Sequence, residues 1–466
     1  MSRILAIDSG LTVTKAVIFD LSGRQVAVAR CNVPQLMPAP RKVERDMDVL
    51  WQETAAAIRA VLDESVTDPG EILAVSATAH GDGIYLLDTE ARPLGPGILS
   101  LDSRATETVA AWDATDLPAR SLALTGQTPH VSAPSALLAW MRAHEPDRYA
   151  RIGHILACKD WLRFCLAGEI GTDLTEASTS FTDVRSQAFS AEARDLFGLS
   201  DLAHALPPAS PAAEIVGTVS SAASAQTGLV AGTPVAAGLH DVTASALGIG
   251  AHELGCVGVI AGTYSINECV STEPRTDPRW FCRNAVEPGR WNNMAISPAS
   301  TTNYDWFLDT FCAADRALAE QDGRTIHDAL AGELDAAFAR ASSILYHPYL
   351  FGSPMGAGPS AGFLGLRGWH ERGDLLAALL EGVVFSHRQH IDALRDGFAP
   401  AAARLTGGAT RNPAVAQLFA DIQNMTVDVT DTDEAAACFR ESGDEMSGIW
   451  RRRDALGDQP RGAVRD

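Results

Sequence analysis

Two stretches of this chain, about 250 residues apart, share one pattern. "ILAIDSGLTVTKAVIFD", residues 4–20, runs strand formers into an aspartate, breaks at Gly10 and resumes as a second apolar run. "CVGVIAGTYSINECVS" repeats it, with Ile260, Ala261, Gly262, Thr263, Tyr264 and Ser265 where Ile7, Asp8, Ser9, Gly10, Leu11 and Thr12 stood. β-Branched runs flanking a glycine turn predict a hairpin at the start of a buried sheet. The recurrence predicts a duplicated fold with one such hairpin per half. Taken singly, each hairpin allows two readings. It is a well-formed turn and nothing more, or it is a phosphate cradle in which backbone N–H groups approach an anion and hydroxyls add donors. A third glycine loop lies in "RLTGGATRNPAVAQLFADIQNMTVDV", where a strand meets Gly407 and Gly408 and a helix begins at Asn412 and Pro413. Glycines directly before a helix suit close approach by a phosphate or a flat base. Three such loops in two repeated halves favour the cradle.

Between the hairpins, strand-like runs alternate with amphipathic helices, which marks an α/β chain. "VERDMDVLWQETAAAIRAVLDES" places Val49, Leu50, Ala57, Ile58, Val61 and Leu62 at helical spacing. "TPVAAGLHD" is a strand that ends at Asp241, and a short helix follows it. A length of 466 residues, 46% of them hydrophobic, suffices for two or three ordinary cores. The formal charge of −21, from 37 basic and 58 acidic residues, argues against nucleic-acid binding as the main activity. A nucleotide ligand stays compatible if amides and Mg²⁺ neutralise its phosphates. No apolar stretch approaches the roughly 20 residues that span a bilayer, and "MSR" leads straight into a strand without a signal-like segment. A cytoplasmic protein without membrane contact is expected. The eight cysteines form no C-x-x-C pair, so reduced thiols are expected in place of zinc or disulfides. His387 and His390, at i, i+3 on an apparent helix, read as a solvated or capping face.

The residues now resemble the FGGY sugar kinases, members of the actin-like, hexokinase-like ATPases. The resemblance spans residues 4 to about 437 and rests on "AIDSGLTVTKAVIFD", "AHGDG", "LDSR", "CKDWLRFCLAGEIGTDLTEAS", "GLHD", "AGTYS", "LLEGVVF" and "LTGGATRN". Within the family, "VERDMDVLW", "PHVSAPSALLAWMRAHEPDRYA" and "LYHPYLFGSPMGAG" are most similar to the L-xylulose kinase branch. "CKDWLRFCLAGE" and "GDG" also suit erythritol kinases. The resemblance implies two ribonuclease-H-like domains, residues 1–244 and 245–437, around a central cleft, binding ATP, Mg²⁺ and a small sugar or polyol. Homodimers are common in such a family.

By the same resemblance, Asp8 organises Mg²⁺ through water, and Gly10, Thr12, Thr14 and Lys15 surround the phosphates. Lys15 could equally be a solvated lysine whose side chain points away. Gly262 and Thr263, with Tyr264, form the second phosphate hairpin, and Gly408, Ala409 and Asn412 the adenosine loop. Asp241 matches the general base that orients the acceptor hydroxyl and takes its proton. An aspartate at a helix start can also cap it, and both roles can hold together. His80, Gly81 and Asp102 match sugar-binding positions, with Arg104 orienting Asp102, and Asp82 either joins them or stabilises the Gly81–Gly83 turn. Lys159, Asp160, Thr175 and Glu176 fall to packing and loop support. The expected reaction is ATP-dependent phosphorylation of a terminal hydroxyl of a small ketose or polyol, above all L-xylulose. Erythritol or D-xylulose as substrate, and a catalytically impaired relative that only binds sugar or nucleotide, stay open. From residue 438 the sequence reads "CFRESGDEMSGIWRRRDALGDQPRGAVRD" where a glycine–alanine-rich helix is expected. Its composition predicts a disordered tail over residues 438–466.

Overall fold

The computed structural model describes residues 2–340, 343–353, 358–430 and 446–450. It contains two compact units. Among the described residues, the first comprises those of Met1–Gly248 and Ser271–Asn293, and the second those of Ile249–Val270, 294–430 and 446–450. The sequence reading placed Ser271–Asn293 with the second half; by its contacts that segment groups with the first.

In the first unit, β1 (Arg3–Ser9), β2 (Val13–Asp20) and β3 (Gln25–Asn32) form an antiparallel meander. The register pairs Asp8 with Lys15 and Ser9 with Thr14. Alternation then sends Leu5, Ile7, Ala16 and Ile18 to one face. Against that face packs α1 (Met47–Glu64), whose Leu50, Ala57, Ile58, Val61 and Leu62 share one core with them. Each Leu, Ile or Val among them, fully buried, contributes roughly 1.5–3 kcal/mol. Asp46 starts α1 by accepting the N–H groups of Asp48 and Val49, each at 2.9 Å. β4 (Ile72–Ala79) then runs parallel to β1, setting Asp8 beside Thr78 and Ser9 beside Ala79. Farther along the chain come α2 (Cys158–Ala167), β5 (Ile215–Thr218), β6 (Pro234–Ala236), β7 (Leu239–His240) and α3 (Asp241–Gly248). The strand order is β5-β6-β4-β1-β2-β3, with β7 also on β4. Three parallel strands, β1, β4 and β7, therefore end side by side at Ser9, Ala79 and His240.

The second unit repeats the scheme. β8 (Cys256–Ala261) and β9 (Ser265–Ser271) form the antiparallel hairpin, and β10 (Trp291–Ser297) lies beyond β9. After α4 (Arg372–Phe398), β11 (Ala402–Thr406) runs parallel to β8. After α5 (Pro413–Gln423), β12 (Thr426–Thr430) runs parallel to β11. Antiparallel hairpin followed by parallel crossovers is thus the order in both units, and the duplicated α/β fold is borne out.

Two expectations are corrected. His387 and His390 are not on a solvated face: both are buried in α4, where Nδ1 of His387 lies 2.8 Å from Oδ1 of Asn267 and Nε2 of His390 lies 2.9 Å from Oγ of Ser297. Within the stretch expected to be disordered, Met446–Trp450 is a strand, β13, antiparallel to β12. The rest of residues 438–466 lies outside the described residues.

Candidate active site

The ends of β1, β4 and β7 carry most of the predicted residues of the first unit. Ligands of α/β sheets bind at the carboxyl ends of such strands. His80 follows β4, and its N–H donates to the Ser9 carbonyl at 2.9 Å, which ties it to the first hairpin. Asp8 and Lys15 share the sheet face opposite α1, with Lys15 Nζ 3.5 Å from Asp8 Oδ2. Lys15 therefore points along the same face as Asp8, not away from it. On that face too, Ser76 and Thr78 keep buried hydroxyls with no hydrogen-bond partner among the described residues. The turn between β1 and β2 is closed by Gly10 N–H to the Val13 carbonyl at 2.9 Å. Buried Arg45 clamps it from below, donating to the carbonyls of Gly10, at 3.2 Å, and Leu11. Thr12 is exposed. Thr14 is fully buried with its Oγ1 2.9 Å from Ser9 Oγ, so its hydroxyl braces the hairpin and is not presented to a phosphate.

Asp241 opens α3 directly after β7. Its Oδ1 accepts the Val242 N–H at 2.7 Å and lies 3.1 Å from His240 Nδ1. Its side chain is 32% exposed, and no partner of Oδ2 occurs among the described residues. One carboxylate oxygen is fixed and the other is open. Gly81 belongs to the same construction: a Cβ there would overlap the His240 ring, so only glycine lets the two loops meet. Burial, helped by the Arg45 charge, lowers the His80 pKa to about 4. His80 is therefore a neutral imidazole, with Nδ1 unpartnered among the described residues and Nε2 3.3 Å from the Tyr85 hydroxyl.

Arg283 gave no signal in the sequence. It lies on the strand Phe281–Asn284, buried beside this cluster. Its Nη2 lies 3.0 Å from Asp82 Oδ1, its Nε 3.0 Å from Gln127 Oε1 and its Nη1 3.4 Å from His240 Nε2. Burial works against the charged form of Asp82, yet Arg283 and His130 hold its carboxyl well below the usual range. Glu176 is buried, and desolvation raises its pKa to about 8 against the pull of His240 and Lys159. Lys159 is buried between Asp160, at 2.6 Å, and Asp173, at 2.9 Å. Asp173 accepts the Thr175 hydroxyl at 2.7 Å, and Thr175 Oγ1 accepts the His240 N–H at 2.9 Å. Lys159, Asp160 and Thr175 thus form a scaffold under β7, as packing residues would.

Asp102 and Arg104 lie elsewhere in function. The Asp102 carboxylate accepts Val43 N–H at 2.7 Å and, from Arg104, the backbone N–H and Nε at 2.9 Å and Nη2 at 2.7 Å. Four internal donors saturate a carboxylate, and Asp102 is fully buried. The expectation that Asp102 meets a sugar hydroxyl is therefore corrected: the pair, with Glu44 2.6 Å from Arg104, locks the segment that delivers Arg45 to the first hairpin.

In the second unit, Gly262 follows β8 and its carbonyl accepts the hydroxyls of Ser300, at 2.8 Å, and Thr301, at 2.6 Å. Thr263 accepts the Thr302 hydroxyl through its carbonyl at 3.3 Å. Gly407 follows β11 at φ +110, where a Cβ would overlap the Ala261 carbonyl. Gly408 and Ala409 continue this loop, and Asn412 caps α5, accepting the Ala414 N–H at 2.8 Å. The side chain of Ala409 lies outside the described residues.

Two units of one topology, with a half-fixed carboxylate at the parallel strand ends of the first, define an enzyme of the actin-like ATPase fold. The chain belongs to the FGGY family of carbohydrate kinases: residues 3–248 match its N-terminal domain and residues 257–438 its C-terminal domain. It is 34% identical to the probable L-xylulose kinase of Pasteurella multocida, over 99% of this chain and 95% of that one. It is 33% identical to the L-xylulose/3-keto-L-gulonate kinase of Escherichia coli K12, over 93% and 86%. Among solved structures, the xylulose kinase of Rhodospirillum rubrum matches with a TM-score of 0.81 at 27% identity, covering 93% of this chain and 88% of that one.

Proposed function

We propose that this carbohydrate kinase moves the terminal phosphoryl group of ATP to a terminal hydroxyl of a ketopentose, L-xylulose above all, with Asp241 as the general base. What carries the proposal is the asymmetry of the Asp241 carboxylate: Oδ1 is held by His240 and Val242, and Oδ2 has no partner among the described residues. A base must reach the acceptor proton in one fixed orientation, and that is what such a carboxylate offers. His80, Gly81 and Asp241 are the proposed sugar-binding groups. In the second unit, Gly262, Thr263, Gly408, Ala409 and Asn412 are the proposed nucleotide loops.

The donor set also fits Mg²⁺. Among the described residues no three His, Cys, Asp or Glu side chains cluster as a metal site. Asp8 supplies one carboxylate, and the Ser76 and Thr78 hydroxyls lie on the same sheet face. Mg²⁺ takes most of its ligands from water and phosphate and needs only one or two carboxylates. When bound it would neutralise phosphate charge; Asp8 would hold it through water, and Lys15 would keep Asp8 oriented. Among the described residues no helix is long and apolar enough to cross a membrane.

The test is ADP release, coupled to an indicator reaction, across the four ketopentoses, erythritol, glycerol and xylitol. The highest kcat/KM is expected with L-xylulose. A higher value with erythritol or D-xylulose would reassign the substrate, and ligand-induced stabilisation without ADP release would favour a sugar-binding relative that has lost turnover.

A further inference from the structure

His240 directly precedes the proposed base, and its ring is fixed from every side. The backbone N–H is taken by Thr175 Oγ1 at 2.9 Å, and Thr175 is held in turn by Asp173. One ring edge rests on Gly81, where no side chain would fit. Nε2 faces Arg283 Nη1 at 3.4 Å, and Nδ1 lies 3.1 Å from Asp241 Oδ1 and 3.3 Å from the Val242 nitrogen, whose N–H makes its shorter bond, 2.7 Å, to Asp241 Oδ1. A solvated or merely space-filling histidine has no need of this set of supports.

We infer that His240 is a positioning residue for catalysis: its Nδ1–H holds Oδ1 of Asp241, so that Oδ2 alone is presented to the acceptor hydroxyl. The inference rests on Asp241 being the base. The step itself is unchanged by it: Asp241 Oδ2 takes the hydroxyl proton as the acceptor oxygen forms its bond to phosphorus, and His240 keeps its own proton throughout. The charges around the ring fit the assignment. Burial alone would strip the imidazole of its proton, but Glu176 and then Asp241 outweigh burial and raise its pKa to about 9. Arg283 opposes this, yet Arg283 is paired with Asp82, and the remaining neighbour, His80, is neutral. The ring is thus charged through the neutral range and its Nδ1–H is a charge-assisted donor to Asp241; as pH nears 9, Glu176, whose own pKa is about 8, is ionised and helps to keep that charge in place.

Three variants test this, each followed by kcat, KM for sugar and for ATP, a pH–rate profile from 6 to 10 and a thermal unfolding midpoint. His240→Leu removes the donor, and kcat should fall about a hundredfold, the low end of what positioned acid–base groups contribute, with KM for ATP unchanged. His240→Asn restores a neutral donor near the Nδ1 position and should recover most of kcat while losing the alkaline limb near pH 9. Glu176→Gln removes the countercharge, so the alkaline limb should move to lower pH. A His240→Leu enzyme with wild-type kcat, or a Glu176→Gln profile that superimposes on wild type, would overturn the inference. If His240→Leu shows no cooperative unfolding, the Glu176→Gln profile decides alone. Asp241→Asn run alongside keeps the two assignments apart: high residual turnover there removes the base itself, whereas loss there with an unaffected His240→Leu removes only the positioning role.

Discussion

The two units end the same hairpin in different chemistry. In the first, the last paired positions are Asp8 with Lys15 and Ser9 with Thr14; in the second they are Ile260 with Ile266 and Ala261 with Ser265. The buried histidines differ in the same sense. His240 sits among Glu176, Asp241 and Arg283 and keeps its proton, whereas His387 and His390 face Asn267 and Ser297, and burial lowers their pKa values to about 3 and about 4. A duplicated scaffold thus supplies glycine loops twice, but charged side chains at the strand ends once. On the proposed assignment the first unit moves a proton and offsets phosphate charge, and the second presents backbone and small side chains.

The sharpest way to break this comparison is a pair of glycine substitutions. Gly81→Ala drives a methyl group into the His240 ring and should cut kcat about a hundredfold, the usual cost of misplacing a catalytic group by an ångström. Gly408→Ala in the second unit meets no protein atom within 4 Å but adds a methyl group to the proposed nucleotide loop, so it should raise KM for ATP and leave kcat close to wild type. Equal losses in both would mean that the strand ends of the two units are not specialised in this way.

A smaller effect separates the histidines. In the unfolded chain His387 and His390 take up protons near pH 6.5, but in the folded chain they resist until about pH 3 and about pH 4. Protons therefore favour unfolding: the stability these rings allow is complete above pH 6.5 and drains away as pH falls below it. His240 has the opposite sign, with its contribution complete below pH 6.5 and lost as pH rises through about 9. In urea unfolding, His390→Gln should flatten the decline in midpoint between pH 7 and pH 5. An unchanged decline would show that His390 takes no part in it.

What the sequence disclosed and what it hid follow from distance along the chain. The hairpins, Gly10, Gly262 and the position of Asp241 were legible because each is a local pattern: a strand, a break, and a residue exposed at the end. Thr14 was misassigned because its partner Ser9 lies across the hairpin register, and period-2 alternation alone does not tell the core face from the site face. Asp102 looked like a free carboxylate because the Val43 N–H that helps to saturate it comes from 59 residues away. His387 and His390 looked solvated because Asn267 and Ser297 lie 120 and 93 residues away. Arg283 was invisible for the same reason, arriving from a segment the repeat pattern assigned to the other half. Long-range polar pairing, not strand or helix formation, is where the sequence ran out.

The central claim is that Asp241 takes the acceptor proton, and Asp241→Asn tests it most directly. With saturating L-xylulose and ATP, ADP release should fall about a thousandfold, while calorimetric titration gives an ATP affinity matching wild type. Retention of about a tenth of wild-type turnover, with ATP binding intact, would contradict the account, because a positioned general base is worth far more than that.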